Sequence, residues 1–237
     1  MSWNIQHLEP YAEGCEPHEE FNRALSDLRP DILLLQEVDH HQERSGGVDQ
    51  TALTADLLGA SAHYFRPTPE APGDYGIAIV STLPVIKWHQ KSLRRSPIGM
   101  RLTFMIQGKP ETFYCADHER AVLAAELENG WFVANMHASF VPGWSHLMVW
   151  RAARWARKEA KRAGCNLLLC GDFNLSSHAF LKLIGLRSLN DGVTFPTWTP
   201  ERQIDFIAVD KHNSAKATTV EVRSYGISDH CAVVVDL

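Results

Sequence analysis

In one stretch the chain passes from apolar to acidic within a single step: Asn166-Leu167-Leu168-Leu169-Cys170 runs straight into Gly171-Asp172-Phe173-Asn174-Leu175. The apolar run suits a strand buried on both faces, and open sheets gather their chemistry at the carboxyl ends of such strands. Residues two apart in extended chain point the same way, so Asp172 and Asn174 can meet on one ligand. The pair also suits a turn, because Asp and Asn side chains bond their own backbone. Four more segments end an apolar run in a carboxylate, amide or imidazole: Trp3-Asn4-Ile5, Leu33-Leu34-Leu35-Gln36-Glu37, Ala134-Asn135-Met136-His137 and Ser228-Asp229-His230. A sixth, Gln203-Ile204-Asp205-Phe206-Ile207, sets an acid inside a strand. Charges are seldom buried unless paired or bound to metal, so Glu37 and Asp205 need partners. Any one of these residues alone reads as an ordinary surface strand end; six together do not.

The residue types point to phosphate chemistry supported by a divalent cation. Glu37 offers a hard oxygen ligand suited to Mg²⁺ or Mn²⁺. Asn4 can hold that carboxylate or the ion's water shell, and Asp229 can act as a second ligand or orient water. Asp172 can orient or deprotonate an attacking water, with Asn174 fixing water or phosphate, and His230 can contact phosphoryl oxygens. The doublet His40-His41 looks like a metal pair, but adjacent loop residues rarely share an ion, and solvent exposure is expected. Arg120, in His118-Glu119-Arg120, is within reach of the active-site edge, though a surface ion pair is the expectation.

Elements must position these groups, and 237 residues allow a substantial core. Hydrophobic content of 45% and charged content of 22% are ordinary for a globular chain. A net charge of −5 supplies no general pull toward nucleic acid or anionic membrane, so phosphate must be gripped locally. The five cysteines are odd in number and scattered, without zinc-type spacing, which suits a reduced, cytoplasmic setting. No apolar run reaches transmembrane length, and the N-terminus does not read as a signal peptide.

Helical spacing is expected over residues 16–28, 50–58, 145–163 and 177–184, and strands over 31–36, 75–80, 85–90, 111–116, 121–128, 131–136, 166–170, 204–209 and 230–235. Asn129-Gly130 reads as a hairpin turn. The basic helix carrying Arg151, Arg154, Arg157, Lys158, Lys161 and Arg162 reads as a solvated outer face, since Glu159 interrupts the cations. Strands and helices of similar type in each half, with no linker between, predict one domain over residues 1–237. Its class is α/β (α+β): a four-layer sandwich of two mostly antiparallel sheets packed face to face, with helices outside.

The ordered set Trp3-Asn4, Gln36-Glu37, His137, Gly171-Asp172-Phe173-Asn174, Asp205 and Ser228-Asp229-His230 resembles the endonuclease/exonuclease/phosphatase superfamily over nearly the whole chain. Segments Gln36-Glu37-Val38-Asp39, Arg44-Ser45-Gly46-Gly47-Val48-Asp49-Gln50, Tyr75-Gly76-Ile77-Ala78-Ile79-Val80-Ser81 and Thr194-Phe195-Pro196-Thr197-Trp198 make it most similar to small bacterial metal-dependent hydrolases of that group. The resemblance implies catalytic roles for His137, Asp172, Asn174, Asp205 and His230, with Asn174, His137 and His230 on the phosphate. It implies Asn4, Glu37 and Asp229 at a Mg²⁺ or Mn²⁺ ion, Asp205 paired with His230, and His137 giving a proton to the leaving group. Deoxyribonuclease-like members support that histidine with a glutamate; here Asp49 or Asp74 is the expected substitute.

The leading expectation is a metal-dependent phosphodiesterase acting by in-line attack of water, on a nuclease-like, small-molecule or lipid substrate. A phosphomonoesterase is the alternative, and an inactive binding protein on the same fold is disfavoured by the full set of groups. The expected partner is a phosphate-ester substrate, nucleic acid among the candidates, and the expected state is a monomer.

Overall fold

The computed structural model describes residues 1–11, 14–67, 73–106 and 109–237. In chain order the strands are β1 (Ser2–Asn4), β2 (Ile32–His40), β3 (Ser61–Phe65), β4 (Asp74–Ser81), β5 (Val85–Leu93), β6 (Met100–Ile106), β7 (Lys109–Cys115), β8 (Arg120–Leu127), β9 (Trp131–His137), β10 (Asn166–Asp172), β11 (Leu186–Ser188), β12 (Asp205–Asp210), β13 (Thr219–Arg223) and β14 (Ala232–Asp236). The helices are α1 (Pro17–Leu28), α2 (Gln50–Leu58), α3 (Trp144–Ala163) and α4 (His178–Leu183). One sheet has the order β13-β14-β1-β2-β4-β3 and the other β11-β12-β10-β9-β8-β5, while β6 and β7 form a separate ribbon. Only β1–β2 and β9–β10 pair in parallel among the described strands; the remaining pairs are antiparallel. The expected sandwich is therefore the observed one.

Three apolar layers account for it. Leu34, Ile79, Leu123, Val133, Cys170 and Ile207 fill the space between the sheets. Phe21 and Leu25 of α1 pack with Trp3, Leu33 and Leu35 on the outer face of the first sheet. Met148, Ala152 and Ala156 of α3 cover Phe132, Ala134 and Leu169 on the outer face of the second. The expected solvent face of α3 is also observed, since Arg151, Arg154, Lys158, Lys161 and Arg162 are exposed. No helix among the described residues is long and apolar enough to cross a membrane, and all five cysteines are free.

The topology places the polar strand ends together. In the first sheet β1 and β2 run parallel and β14 runs against β1; in the second β9 and β10 run parallel and β12 runs against β10. The carboxyl ends of the parallel pairs and the amino ends of the antiparallel partners therefore share one edge. Across the sheets just below it, the Gln36 amide donates to Asn135 Oδ1 at 2.7 Å, and Asn135 donates to the carbonyls of Leu35 and Ala78. These buried amides pin the two edges at a fixed separation.

Elements absent from the sequence reading are β3, β11 and β13, short strands at the sheet margins, and β6 of the separate ribbon. The strand expected over 31–36 extends to His40, beyond a register shift between Gln36 and Val38.

Candidate active site

Glu37 owes its position to that register shift. Leu33 and Leu35 face the α1 layer, Leu34 and Gln36 face the opposite sheet, yet Val38 faces the α1 layer again. Strict alternation would put Glu37 there. Instead it is the extra residue of a bulge, with φ +57, and its carboxylate turns to the sheet edge. Asn4 at the end of β1 donates from Nδ2 to Glu37 Oε1 at 2.9 Å and to Asp172 Oδ2 at 3.2 Å. Its Oδ1 accepts the Gln6 N–H, which fixes the amide's orientation.

Asp172 ends β10 and is buried. Asn174 has φ +49, a conformation that Asn tolerates, and its backbone N–H donates to Asp172 Oδ1 at 2.8 Å. The turn reading and the convergence reading are thus both met: the turn is what aims the carboxylate. Asn174 Nδ2 reaches Asp172 Oδ2 at 3.3 Å and the Ala138 carbonyl at 3.1 Å. Burial, with the neighbouring Asp205 and Glu37 charges, raises the Asp172 carboxyl to about 7 against the pull of His230. Burial likewise raises Asp229 to about 6.

Asp205 opens β12 directly opposite Asp172 in register. Its Oδ2 accepts from Thr194 Oγ1 at 2.5 Å and lies 2.9 Å from His230 Nδ1. Burial opposes charging of His230, but Asp205, Asp172 and Asp229 outweigh it and hold the imidazole well above its ordinary value. Ser228 secures this corner, its hydroxyl donating to the Asn4 carbonyl at 2.6 Å and accepting the His230 N–H at 3.0 Å. The loop rich in Thr and Pro is therefore part of the site through Thr194, and it also bonds the Asp229 carbonyl through the Thr197 N–H.

His137 ends β9 with Nε2 at 3.4 Å from Asp172 Oδ2 and 3.9 Å from Glu37 Oε1. Behind it stands a cation, not the carboxylate expected. Arg120 Nη1 is 3.1 Å from His137 Nδ1. Asp49 instead caps α2 and faces His40, and Asp74 pairs with Arg66. Guanidinium has only donors, so Nδ1 accepts and the ring proton sits on Nε2. Burial first, then Arg120, pushes His137 well below its ordinary value, so it is neutral. The surface ion pair expected for Arg120 is also corrected: the side chain is buried and faces Asp117, whose Oδ2 accepts the Ser96 N–H at 2.6 Å. Tyr75 was missed as well. Its phenol lies against Glu37, and burial followed by that charge raises it well above the usual tyrosine range.

Every expected site residue thus reaches the one edge. Asp172, Asp205 and His230 each present a donor atom within 4.8 Å of the other two. Asp205 and the Nδ1 of His230 are already committed to each other, which leaves Glu37 and Asp229 as the open carboxylates. Asp172 and Asp229, raised by burial and by the nearby Glu37 and Asp205 charges, are a crowding that a hard divalent cation would relieve. The donor set fits such an ion.

The profile of the Endonuclease/Exonuclease/phosphatase family matches residues 1–230, and the chain belongs to that family, whose members are divalent-metal-dependent hydrolases of phosphate esters. The fold is similar to that of a family protein from Leptotrichia buccalis (12% identity, TM-score 0.67, 100% of this chain and 98% of that one). It is also similar to a mannosyl-6-phosphatase from Bacteroides thetaiotaomicron (16%, 0.60, 99% and 97%) and to the human Nocturnin catalytic domain with bound sulfate (21%, 0.56, 99% and 92%). No curated protein matches the sequence significantly.

Proposed function

We propose that this protein hydrolyses a phosphodiester by in-line attack of water, with Mg²⁺ or Mn²⁺ held by Glu37 and Asp229 and with Asn4 steadying Glu37. The carrying observation is Asp172, a buried carboxylate fixed by Asn4 and Asn174 and shifted to about 7 by its burial. That value suits a group that orients water and accepts its proton near neutral pH. The bound cation would neutralise a non-bridging oxygen and stabilise charge on the leaving oxygen. His230, kept cationic by Asp205, binds the phosphoryl oxygens. Asn174 supports the water and phosphate beside Asp172. His137, neutral with its proton on Nε2, offers a hydrogen bond to an oxygen of the reacting phosphate. Among the described residues the cations placed at this edge are His230 and Arg120, against Glu37, Asp172, Asp205 and Asp229. That balance suits a diester monoanion better than a monoester dianion. The 1–237 chain acts as one domain in this reading, because residues from Asn4 to His230 build the one site.

A hydrolysis panel tests it: single- and double-stranded DNA, RNA, cyclic nucleotides, sphingomyelin, an activated nitrophenyl diester, and mono- and inositol phosphates, each with Mn²⁺ or Mg²⁺. At least one diester is expected to be cleaved, and turnover of monoesters alone would overturn the proposal. His137→Ala is expected to lose comparable activity on poor and activated leaving groups. A much smaller loss on the nitrophenyl ester would instead assign His137 as the leaving-group acid.

A further inference from the structure

The doublet His40-His41 lies outside the catalytic edge, and the backbone does not treat it as two unrelated surface residues. Adjacent side chains on a strand face opposite ways. His40 closes β2, however, and His41 turns into the left-handed region at φ +58, uncommon for a residue other than glycine. The two ring centroids come to 4.2 Å. Asp49 meets them from across the loop: it is the antiparallel bridge partner of His40, and its Oδ2 is 3.2 Å from His40 Nδ1. Its Oδ1 accepts the Thr51 and Ala52 N–H groups at the start of α2, so the carboxylate is held in place. His41 Nδ1 donates to the Gly47 carbonyl at 2.9 Å, which leaves the lone pair on Nε2. A carbonyl on one ring nitrogen is the usual companion of metal on the other. His40 Nδ1 is shielded from solvent, and its approach to Asp49 lacks hydrogen-bond geometry. One donor atom from each residue lies within 4.8 Å of the other two.

We propose that His40, His41 and Asp49 form a second metal site, for a borderline first-row cation of the zinc type, distinct from the hard-oxygen site at the catalytic edge. Two imidazoles and one carboxylate select zinc, cobalt or nickel over magnesium. A tetrahedral ion with bonds near 2.0 Å sets its donors about 3.3 Å apart. The His40–Asp49 pair is already near that spacing, and a donor atom of His41 lies within 4.8 Å of both. Water completes the coordination. The ion would clip the ends of the excursion over residues 41–48. That excursion carries Arg44, which bonds Asp39 through both nitrogens and lies 5.3 Å over the Tyr75 ring. The clip therefore borders the aromatic wall of Glu37.

The test is a titration with Co²⁺, then Zn²⁺, in excess Mg²⁺, on the Glu37→Gln protein, whose catalytic edge is weakened for metal. One equivalent of Co²⁺ is expected to give visible d–d bands that Zn²⁺ abolishes. Adding His41→Ala or Asp49→Asn should weaken binding at least tenfold. Asn still caps a helix, so Asp49→Asn should keep its fold by circular dichroism. Undiminished binding in both variants would overturn the site. So would failure of the Glu37→Gln protein to bind Co²⁺ or Zn²⁺ at all. Neither readout involves turnover, so this result and that of the hydrolysis panel are independent.

Discussion

At the scale of single residues the site works by opposition. Asp172 and His230 lie 3.8 Å apart with their protonation pushed to opposite purposes: burial draws a proton toward the carboxylate, and Asp205 keeps one on the imidazole. A base able to accept a proton near neutrality and a fixed cation are thereby set side by side. Asp172→Asn keeps the shape and removes the proposed base, and it should lower kcat by about a thousandfold or more. It also carries a stability signature in chelated protein. The carboxyl of Asp172 is raised from its ordinary value to about 7. Its contribution is therefore fully present below the unfolded value and is lost as pH rises through about 7. Asp172→Asn should accordingly match the parent melting temperature near pH 4 and exceed it by several degrees at pH 8. Thermal melts at both pH values in EDTA decide it, and an equal difference at both would refute the assigned shift.

At the scale of elements, irregularities do the aiming. The bulge in β2 throws Glu37 out of the alternating pattern, and the turn after β10 folds Asn174 back on Asp172. Gly171 permits the close approach of β10 to β9: its φ is +128, and a Cβ there would sit 1.9 Å from the Met136 carbonyl oxygen. Gly171→Ala meets strain and collision together, and neither side is a flexible chain end. A loss of about 3 kcal/mol or more is expected, read as a lower denaturant midpoint. A near-neutral result would mean the two strands separate more readily than their register implies. The clip proposed at the end of β2 belongs to this scale too, since a left-handed His41 gathers donors that a regular strand would scatter.

At the scale of the whole molecule, two sheets meet along one edge and bring acids together from both. Glu37 comes from the first and Asp229 from the loop that enters it, Asp172 and Asp205 from the second. That concentration of like charge destabilises the metal-free chain, and an ion that binds only the folded state should relieve it. At a hundredfold excess over Kd, Mg²⁺ or Mn²⁺ should add about 2.7 kcal/mol, or roughly 5–10 °C in Tm for a chain of this size. Glu37→Ala should abolish most of that shift. A melt insensitive to both ions would count against the metal site and with it the reaction proposed.

Much of this was legible in the amino-acid order. Apolar runs ending in Asn4, Glu37, His137 and Asp172 are local features, and burial on both faces forces such runs into interior strands, whereas Ser228-Asp229-His230, expected to close a strand, instead leads into β14. The spacing of Phe21, Ala24 and Leu25 and the alanine-rich face of α3 likewise declare which sides meet the sheets. So the sequence by itself determined the layered class and the family, and it named residues that the fold then gathers at one edge. Only the tertiary structure decided which groups touch. The cation behind His137, Tyr75 against Glu37, Thr194 under Asp205 and the grouping of His40, His41 and Asp49 depend on register, a bulge and left-handed residues. A shift of one residue in a strand sends every following side chain to the other face, and no local periodicity records where that shift falls.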